Sequence, residues 1–323
     1  YSGEVGRSIS KAVNGAITAS DLERPQAEWV EPLSLDLFGG TGWTVPPNSQ
    51  GYISLLALAI IQRHGLPAPD DPVGWHQAIE AYRLATADRD ELLADPESMA
   101  IPPSSLLSSR RIESLADRYS PTRRAELPPA GRGSGGTAYM CVIDDAGMGV
   151  SLIQSNFHGI GSGLVVPEGG FILHDRGRGF TLLPGHPNEL APGRRPLHTL
   201  SPTLWTTDGR LSGLLGTRGG FMQPQLVVQL SAAIVGHHAG PERAMSAPRW
   251  MVPLPGTHDE TVEIEPGVSE AVPDTLRQRG HKVTRRDTPQ GGWGPMSTIQ
   301  ISEIGLRTGA ADPRVDTAAA AAR

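Results

Sequence analysis

Cysteine is nearly missing from this 323-residue chain. Cys141 stands alone, so neither an intrachain disulfide nor a cysteine-based zinc site can form. Lysine is almost as scarce, with only Lys11 and Lys282, and arginine carries the positive charge. The 28 basic residues are outnumbered by 34 acidic ones, for a net charge of −6, which argues against binding nucleic acid through its phosphates. Charged residues amount to only 19%, too few for a charge-extended disordered chain. Long hydrophobic runs are absent too. The most apolar stretch, Ile53–Ile61 with Ser54 inside it, is less than half of the roughly 20 residues that a membrane-spanning helix needs. There is no initiator Met and no signal-peptide pattern at Tyr1. The expectation is a chain that begins inside a longer protein or has been processed. A cytoplasmic location is favoured over secretion, with any targeting segment upstream of Tyr1.

Glycine and proline, by contrast, are plentiful at 39 and 29 residues, a loop-rich share still short of low-complexity sequence. Apolar residues recur every fourth position at Val5, Ile9, Val13 and Ile17, the spacing of one helical face. Ser20-Asp21 fits a turn or cap. Leu33–Val45 reads as short extended pieces ended by Pro46-Pro47. Asn48–Gly51 is expected to cap a buried helix over Tyr52–Arg63. Further helices are predicted over Trp75–Ala94 and Ser108–Arg118. Ser120–Gly136, dense in Pro, Arg and Gly, reads as an exposed, mobile linker. Beyond it the period changes from about 3.6 to 2. Thr137–Asp144 and Gly149–Phe157, separated by Asp145–Met148, form a hairpin signal. Strands are expected at Gly170–Leu173, Thr203–Thr206, Leu211–Leu215 and Ser297–Ile301, and helices at Pro224–Ile234 and Val268–Arg279. Helices and strands in layers indicate an α+β sandwich.

The most informative feature is the point where the linker ends and the strand begins. Gly135-Gly136 frees the backbone, and Thr137 places a hydroxyl directly after it. Such a hydroxyl can attack the preceding carbonyl, give an ester, and after hydrolysis leave a new N-terminal threonine. Its amine, with a pKa of about 8, then serves as general base for its own hydroxyl. On local sequence alone, a plain loop meeting a strand also accounts for Gly-Gly-Thr. Pairing residues 144 and 149 in the hairpin sets Thr137 opposite Asn156, with Ser155 beside it. Gly219-Gly220 can aim backbone N–H groups at a developing oxyanion, or be an ordinary turn.

From Thr137 onward the chain resembles the small subunit of γ-glutamyltransferases, in the N-terminal nucleophile (Ntn) hydrolase superfamily. The matching segments are TAYMCVIDDAGMGVS (137–151), PGRRPLHTLSPT (192–203), GTRGG (216–220), APRW (247–250) and GAADPRVD (309–316). Upstream, residues 1–22, PPNSQG (46–51) and ATADRDELLADP (85–96) are similar to large-subunit elements of that family. The resemblance implies a four-layer αββα sandwich built jointly from residues 1–136, the C-terminal part of a large subunit, and residues 137–323, a small catalytic subunit. It implies autocleavage between Gly136 and Thr137, Thr137 as nucleophile, Ser155 as its bracing hydroxyl, and Gly219 and Gly220 as the oxyanion hole. It also implies a heterodimer after cleavage, with a small acyl donor and water or an amine as partners.

The departures from the family concern recognition of a glutamyl group. Ala138-Tyr139 follow the nucleophile where Thr-His is usual. Phe157 replaces an Asn that helps hold the glutamyl amino group, and Gly179 replaces an acidic residue with the same task. His198 and Thr199 replace paired serines that grip the α-carboxylate. Glutamate is therefore expected to bind poorly. Residues 154–163, 174–180, 184–199 and 219–224 instead resemble a γ-glutamyltransferase-like branch that includes acylases and members proposed to cut a C–C bond in antibiotic pathways. Asn156, Phe157, Arg176, Arg178, His198, Thr199 and Arg218 are the candidate substrate-binding residues. The alternative is a degenerate homologue kept as a binding or scaffold module. No metal or cofactor is expected. His158, His174, His186 and His198 lack a metal-ligand spacing, no G-x-S-x-G elbow exists, and Gly159–Gly163 lacks the rest of a dinucleotide fingerprint. Those glycines read as a bulge or a close backbone approach, and Cys141 as inert core.

Overall fold

The computed structural model describes residues 1–24, 27–127, 136–253 and 260–322. Residues 128–135 of the expected linker, eight of its 17, thus lie outside the described residues. The helix Tyr52–His64 is apolar on every side and fully buried along ten consecutive residues, as an all-round apolar helix must be. It packs against the helix Pro72–Thr86 and the helix Gln223–Ser231, and it and the latter lie against a six-stranded sheet. The sheet is antiparallel throughout, in the order Leu33–Leu37, Gly40–Thr44, Thr203–Thr207, Arg210–Thr217, Met296–Ile301, Arg307–Ala311. The hairpin Gly136–Ile143 with Gly149–Phe157 packs on the opposite face. Both halves of the chain thus supply the sandwich.

Alternation fixes the orientation of the hairpin. Tyr139 and Cys141 are half-buried against the sheet, while Met140, Val142, Val150 and Leu152 are exposed. Gly216 makes this close packing possible: a Cβ there would lie 2.2 Å from the Tyr139 ring. Cys141 is only half-buried, which corrects its reading as core, although burial still raises its thiol pKa.

Several boundaries differ from expectation. The Trp75–Ala94 helix begins earlier, where Asp71 accepts a hydrogen bond from the Val73 amide and Pro72 sits in the first turn. It breaks after Thr86, and a separate turn follows at Arg89–Leu92. Asn48–Gln50 do not cap the buried helix through their side chains. They bond sideways instead. Ser49 pairs with His198, its hydroxyl reaches Leu200 O at 2.6 Å, and Asn48 Nδ2 donates to Pro196 O. In the hairpin, Ile143 rather than Asp144 pairs with Gly149, a one-residue shift. Gly161, at φ +91°, sits where a Cβ would lie 2.6 Å from Leu173 O, so the close-approach reading holds.

Four charged residues are buried together beside the Gly294–Met296 segment. The Arg249 and Arg314 guanidiniums bind Glu265 and Asp312, all at 4% side-chain exposure or less. This joins the APRW segment to the DPRVD segment. Burial pushes the Glu265 carboxyl up, but hydrogen bonds from Arg314 and the Gln290 amide, with the charges of Arg249 and Arg314, hold it below its usual range. Glu265→Ala would leave two buried cations to share the single carboxylate of Asp312 and is expected to cost about 3–5 kcal/mol, measurable by urea unfolding. A depressed native pKa favours the fold above the unfolded value and loses that contribution as pH falls through the native one. Native stability should therefore decline below about pH 4.5, and Glu265→Gln should flatten that part of the slope.

Candidate active site

The two strands of the hairpin slip past one another at Thr137. Ala138 pairs with Gln154, yet Gly136 pairs with Phe157, so Ser155 and Asn156 together oppose Thr137. This is a bulge of the kind that re-aims side chains near active sites. It turns the two hydroxyls toward each other. Thr137 Oγ1 donates to Ser155 Oγ at 3.1 Å, and the Phe157 amide donates to the same oxygen at 2.9 Å. Asn156 turns away: its Nδ2 reaches Ile160 O and its carbonyl accepts the Asp175 amide. The structure thus brings Thr137 to Ser155, as expected, and gives Asn156 a loop-fixing contact.

Gly219 and Gly220 follow the strand Arg210–Thr217 at φ +126° and +58°, a region that side chains rarely enter. A Cβ on Gly219 would lie 2.6 Å from Trp293 O. The Gly219 carbonyl accepts the Met222 amide, and the Gly220 carbonyl accepts Gln50 Nε2 at 3.0 Å. Neither glycine amide donates to another of the described residues. Gln50 is fully buried and also donates to Thr199 O, so one side chain of the first segment fixes the diglycine and the 198–200 turn. The sequence offered no chemical pattern that marks it.

The remaining candidates divide among several places. Arg176 donates from Nη2 to Ser155 O at 3.1 Å, with its guanidinium 5.5 Å from the Phe157 ring centre. Arg178 is exposed and pairs with Asp175. It does line a cavity of about 490 Å³ with Phe157, Phe221 and Arg89. His198 lines a different cavity of about 710 Å³, with Asn48, Ile153 and Arg195. Thr199 is buried and its hydroxyl lacks a partner among the described residues. Arg218 lines a third, near Tyr139 and Ser297. The seven residues therefore do not form one ring around a substrate. Phe157 and Arg176 both bond Ser155, the first through its amide to the hydroxyl and the second to the backbone carbonyl. No group of three or more His, Cys, Asp or Glu suited to a metal occurs among the described residues.

Phe157 is buried at φ +82°, where a bulky residue is an outlier. Its ring lies 4.0 Å from that of His158 and 6.2 Å from that of Phe221. His158 in turn binds Asp175 through its amide at 3.0 Å and Nδ1 at 3.1 Å.

Burial pushes His198 down to about 4, helped by the Arg176 and Arg195 charges. A native pKa below the unfolded value of about 6.5 means that the neutral ring favours folding above pH 6.5 and loses that contribution as pH falls toward 4. The His198 ring protons should titrate by NMR with a midpoint near 4. A midpoint above 6 would contradict the burial described.

A family profile described as Gamma-glutamyltranspeptidase matches residues 1–322. The chain is 34% identical to an oxamate amidohydrolase proenzyme of Klebsiella pneumoniae subsp. pneumoniae, across 96% of this chain and 58% of that one. It is 32% identical to a glutathione hydrolase-like proenzyme of Bacillus subtilis, across 99% of this chain and 62% of that one. The crystal structure of a cephalosporin acylase from Bacillus halodurans superposes with a TM-score of 0.87 at 32% identity, covering 100% of this chain and 59% of that one. The chain thus spans about three fifths of the length of these relatives. Its mixed helix and sheet layers match those of that acylase.

Proposed function

The chain belongs to the gamma-glutamyltranspeptidase family, and from that premise we propose that it is a self-processing threonine-nucleophile hydrolase. Its substrate is an amide of a small specialised acyl group other than γ-glutamyl. The 3.1 Å contact between Thr137 Oγ1 and Ser155 Oγ, at the junction after Gly136, carries this reading.

In the precursor the Thr137 hydroxyl attacks the Gly136 carbonyl. The C–N bond breaks as the ester forms, and the amine takes the hydroxyl's proton. Water then cleaves the ester, leaving a Gly136 carboxylate and a free Thr137 amine. Residues 1–136 and 137–323 remain interleaved as two subunits. In catalysis that amine accepts the hydroxyl proton as Oγ1 attacks the substrate carbonyl. Ser155 holds Oγ1 in line, and the free amides of Gly219 and Gly220 receive the oxyanion. The amine returns the proton to the leaving nitrogen, and water or an acceptor amine then releases the acyl group. The names of the relatives, covering oxamate, glutathione and cephalosporin chemistry, support amide hydrolysis and point to variable acyl groups. Phe157 in place of Asn supports rejection of γ-glutamyl donors.

On a denaturing gel the purified protein should split, and mass spectrometry should find a 187-residue fragment beginning at Thr137. Thr137→Ala should remain whole. Ser155→Ala should slow cleavage and amide turnover by about 10²-fold, within the span of positioned proton-transfer effects. The departures at Ala138, Phe157 and Gly179 also fit a non-catalytic scaffold. That reading predicts no Thr137-dependent turnover of any amide and an uncut parent chain.

A further inference from the structure

We propose that Thr217 is a positioning residue for the oxyanion site: its hydroxyl holds the Arg218 carbonyl and so aims the Gly219 amide at the developing oxyanion. This rests on the hydrolase reading above, which gives the oxyanion to the amides of Gly219 and Gly220.

A diglycine has no side chains to fix its own conformation, so its amides must be aimed from outside. In a planar trans peptide the carbonyl and the N–H point in opposite directions. Whatever grips the carbonyl therefore directs the N–H of the same plane. Arg218 O and Gly219 N–H share one such plane, and Gly219 O and Gly220 N–H share the next. The Met222 amide grips Gly219 O at 3.0 Å, and the Thr217 hydroxyl grips Arg218 O at 2.7 Å. Thr217 ends the strand Arg210–Thr217 and is buried. Its Oγ1 also lies 3.2 Å from Gly294 O and 3.1 Å from Pro295 O. Those two carbonyls already have donors, Arg249 Nη1 at 3.0 Å and the Arg218 amide at 3.3 Å. A hydroxyl has one proton to give, and the shortest contact assigns it to Arg218 O.

The backbone behind this peptide gives the hydroxyl a fixed wall to hold it against. A Cβ on Gly294 would lie 2.1 Å from Arg218 O, and one on Gly219 would lie 2.6 Å from Trp293 O. The turn thus sits close against Trp293–Pro295. Arg249, buried with Glu265 and Asp312, ties Gly294 to the core. With its carbonyl held at that wall, the Arg218–Gly219 peptide presents its N–H on the side away from it. The strand of the nucleophile is close by. Tyr139 packs over Gly216, one residue before Thr217. Ala138, which follows Thr137, and Arg218, which precedes Gly219, line the same cavity of about 390 Å³.

Two probes test this without the natural acyl group: p-nitrophenyl acetate as substrate and phenylboronic acid as inhibitor. Ester turnover is counted only where it depends on Thr137, with Thr137→Ala as the blank. The boronic acid mimics the tetrahedral intermediate: boron bonds Thr137 Oγ1, the hydroxyl proton passes to the Thr137 amine, and a boron-bound oxygen takes the place of the oxyanion. Loss of a whole oxyanion donor costs about 10²–10³-fold in kcat, and a mis-aimed donor loses part of that. Thr217→Val keeps the shape and removes the hydroxyl. It should lower kcat at least tenfold, with KM within about twofold of the parent, and weaken phenylboronic acid at least tenfold. Thr217→Ser keeps the hydroxyl and should bring both within about threefold of the parent. The proposal is overturned by an unchanged kcat in Thr217→Val, a loss confined to KM, unchanged boronic acid inhibition, or a Thr217→Ser as slow as Thr217→Val. If Thr217→Val does not fold, Thr217→Cys decides. Its S–H is a weak donor, so a fall in kcat of at least threefold at constant KM supports the proposal and an unchanged kcat overturns it. Failure of the hydrolase reading shows separately, in the parent itself, as no Thr137-dependent turnover and no Thr137 terminus by mass spectrometry, and it overturns both.

Discussion

Everything proposed for this protein depends on one extra residue in one strand. Two-fold alternation already directs odd-numbered residues of the hairpin toward the large sheet. The bulge then sets Ser155 and Asn156 against Thr137 and returns the strands to register at Gly136–Phe157. Thr137 thereby gains a hydroxyl neighbour at 3.1 Å instead of a simple cross-strand partner. The same slip forces the next residue, Phe157, to φ +82°. Placement of the nucleophile and backbone strain beside it have a single geometric cause.

That constraint is held from several sides. Tyr139 fits under the hairpin only because Gly216 has no side chain, and its hydroxyl bonds Ser151 at 3.0 Å. Gln50 links the diglycine to the 198–200 turn, while Ser49 and Asn48 tie the same turn to the start of the buried helix. The first 127 residues and the second half are therefore joined at the site itself. A cleaved chain has structural reason to stay together, since the separation of either piece would expose the Tyr52–His64 helix, which is buried along ten residues.

Much of this was legible in the sequence. The hairpin, the sheet strands other than Arg307–Ala311, the buried helix and the Thr137–Ser155 pairing follow from period, turn residues and motif order. What was not legible has identifiable physical causes. The exact register at residue 149 depends on a turn that closes one residue earlier than the turn residues suggested. Asn48–Gln50 carry a helix-cap composition, yet their polar atoms satisfy a strand-like neighbour distant in sequence. Arg89 lies in a stretch whose helical period hides the break after Thr86. A charged residue there reads as a solvated face, and only the fold buries it. The candidate substrate residues rest on motif resemblance and hairpin pairing, and neither carries the information that His198, Arg178 and Arg218 line different cavities.

The same geometry explains why phenylalanine is tolerated where its backbone is least at ease. A non-glycine residue in the left-handed region costs of order 1–3 kcal/mol, and asparagine relieves that better than phenylalanine does. Phenylalanine repays the difference by burial: a fully buried ring is worth about 1.5–3 kcal/mol, and this one sits between His158, Phe221 and Arg176. The exchange removes a polar group from the acyl side and replaces it with an apolar wall. An ammonium beside that wall would lose water and gain no acceptor, which is unfavourable for a charged group. On the proposed reading, the residue that the bulge strains is also the one that withholds an acceptor from a substrate ammonium.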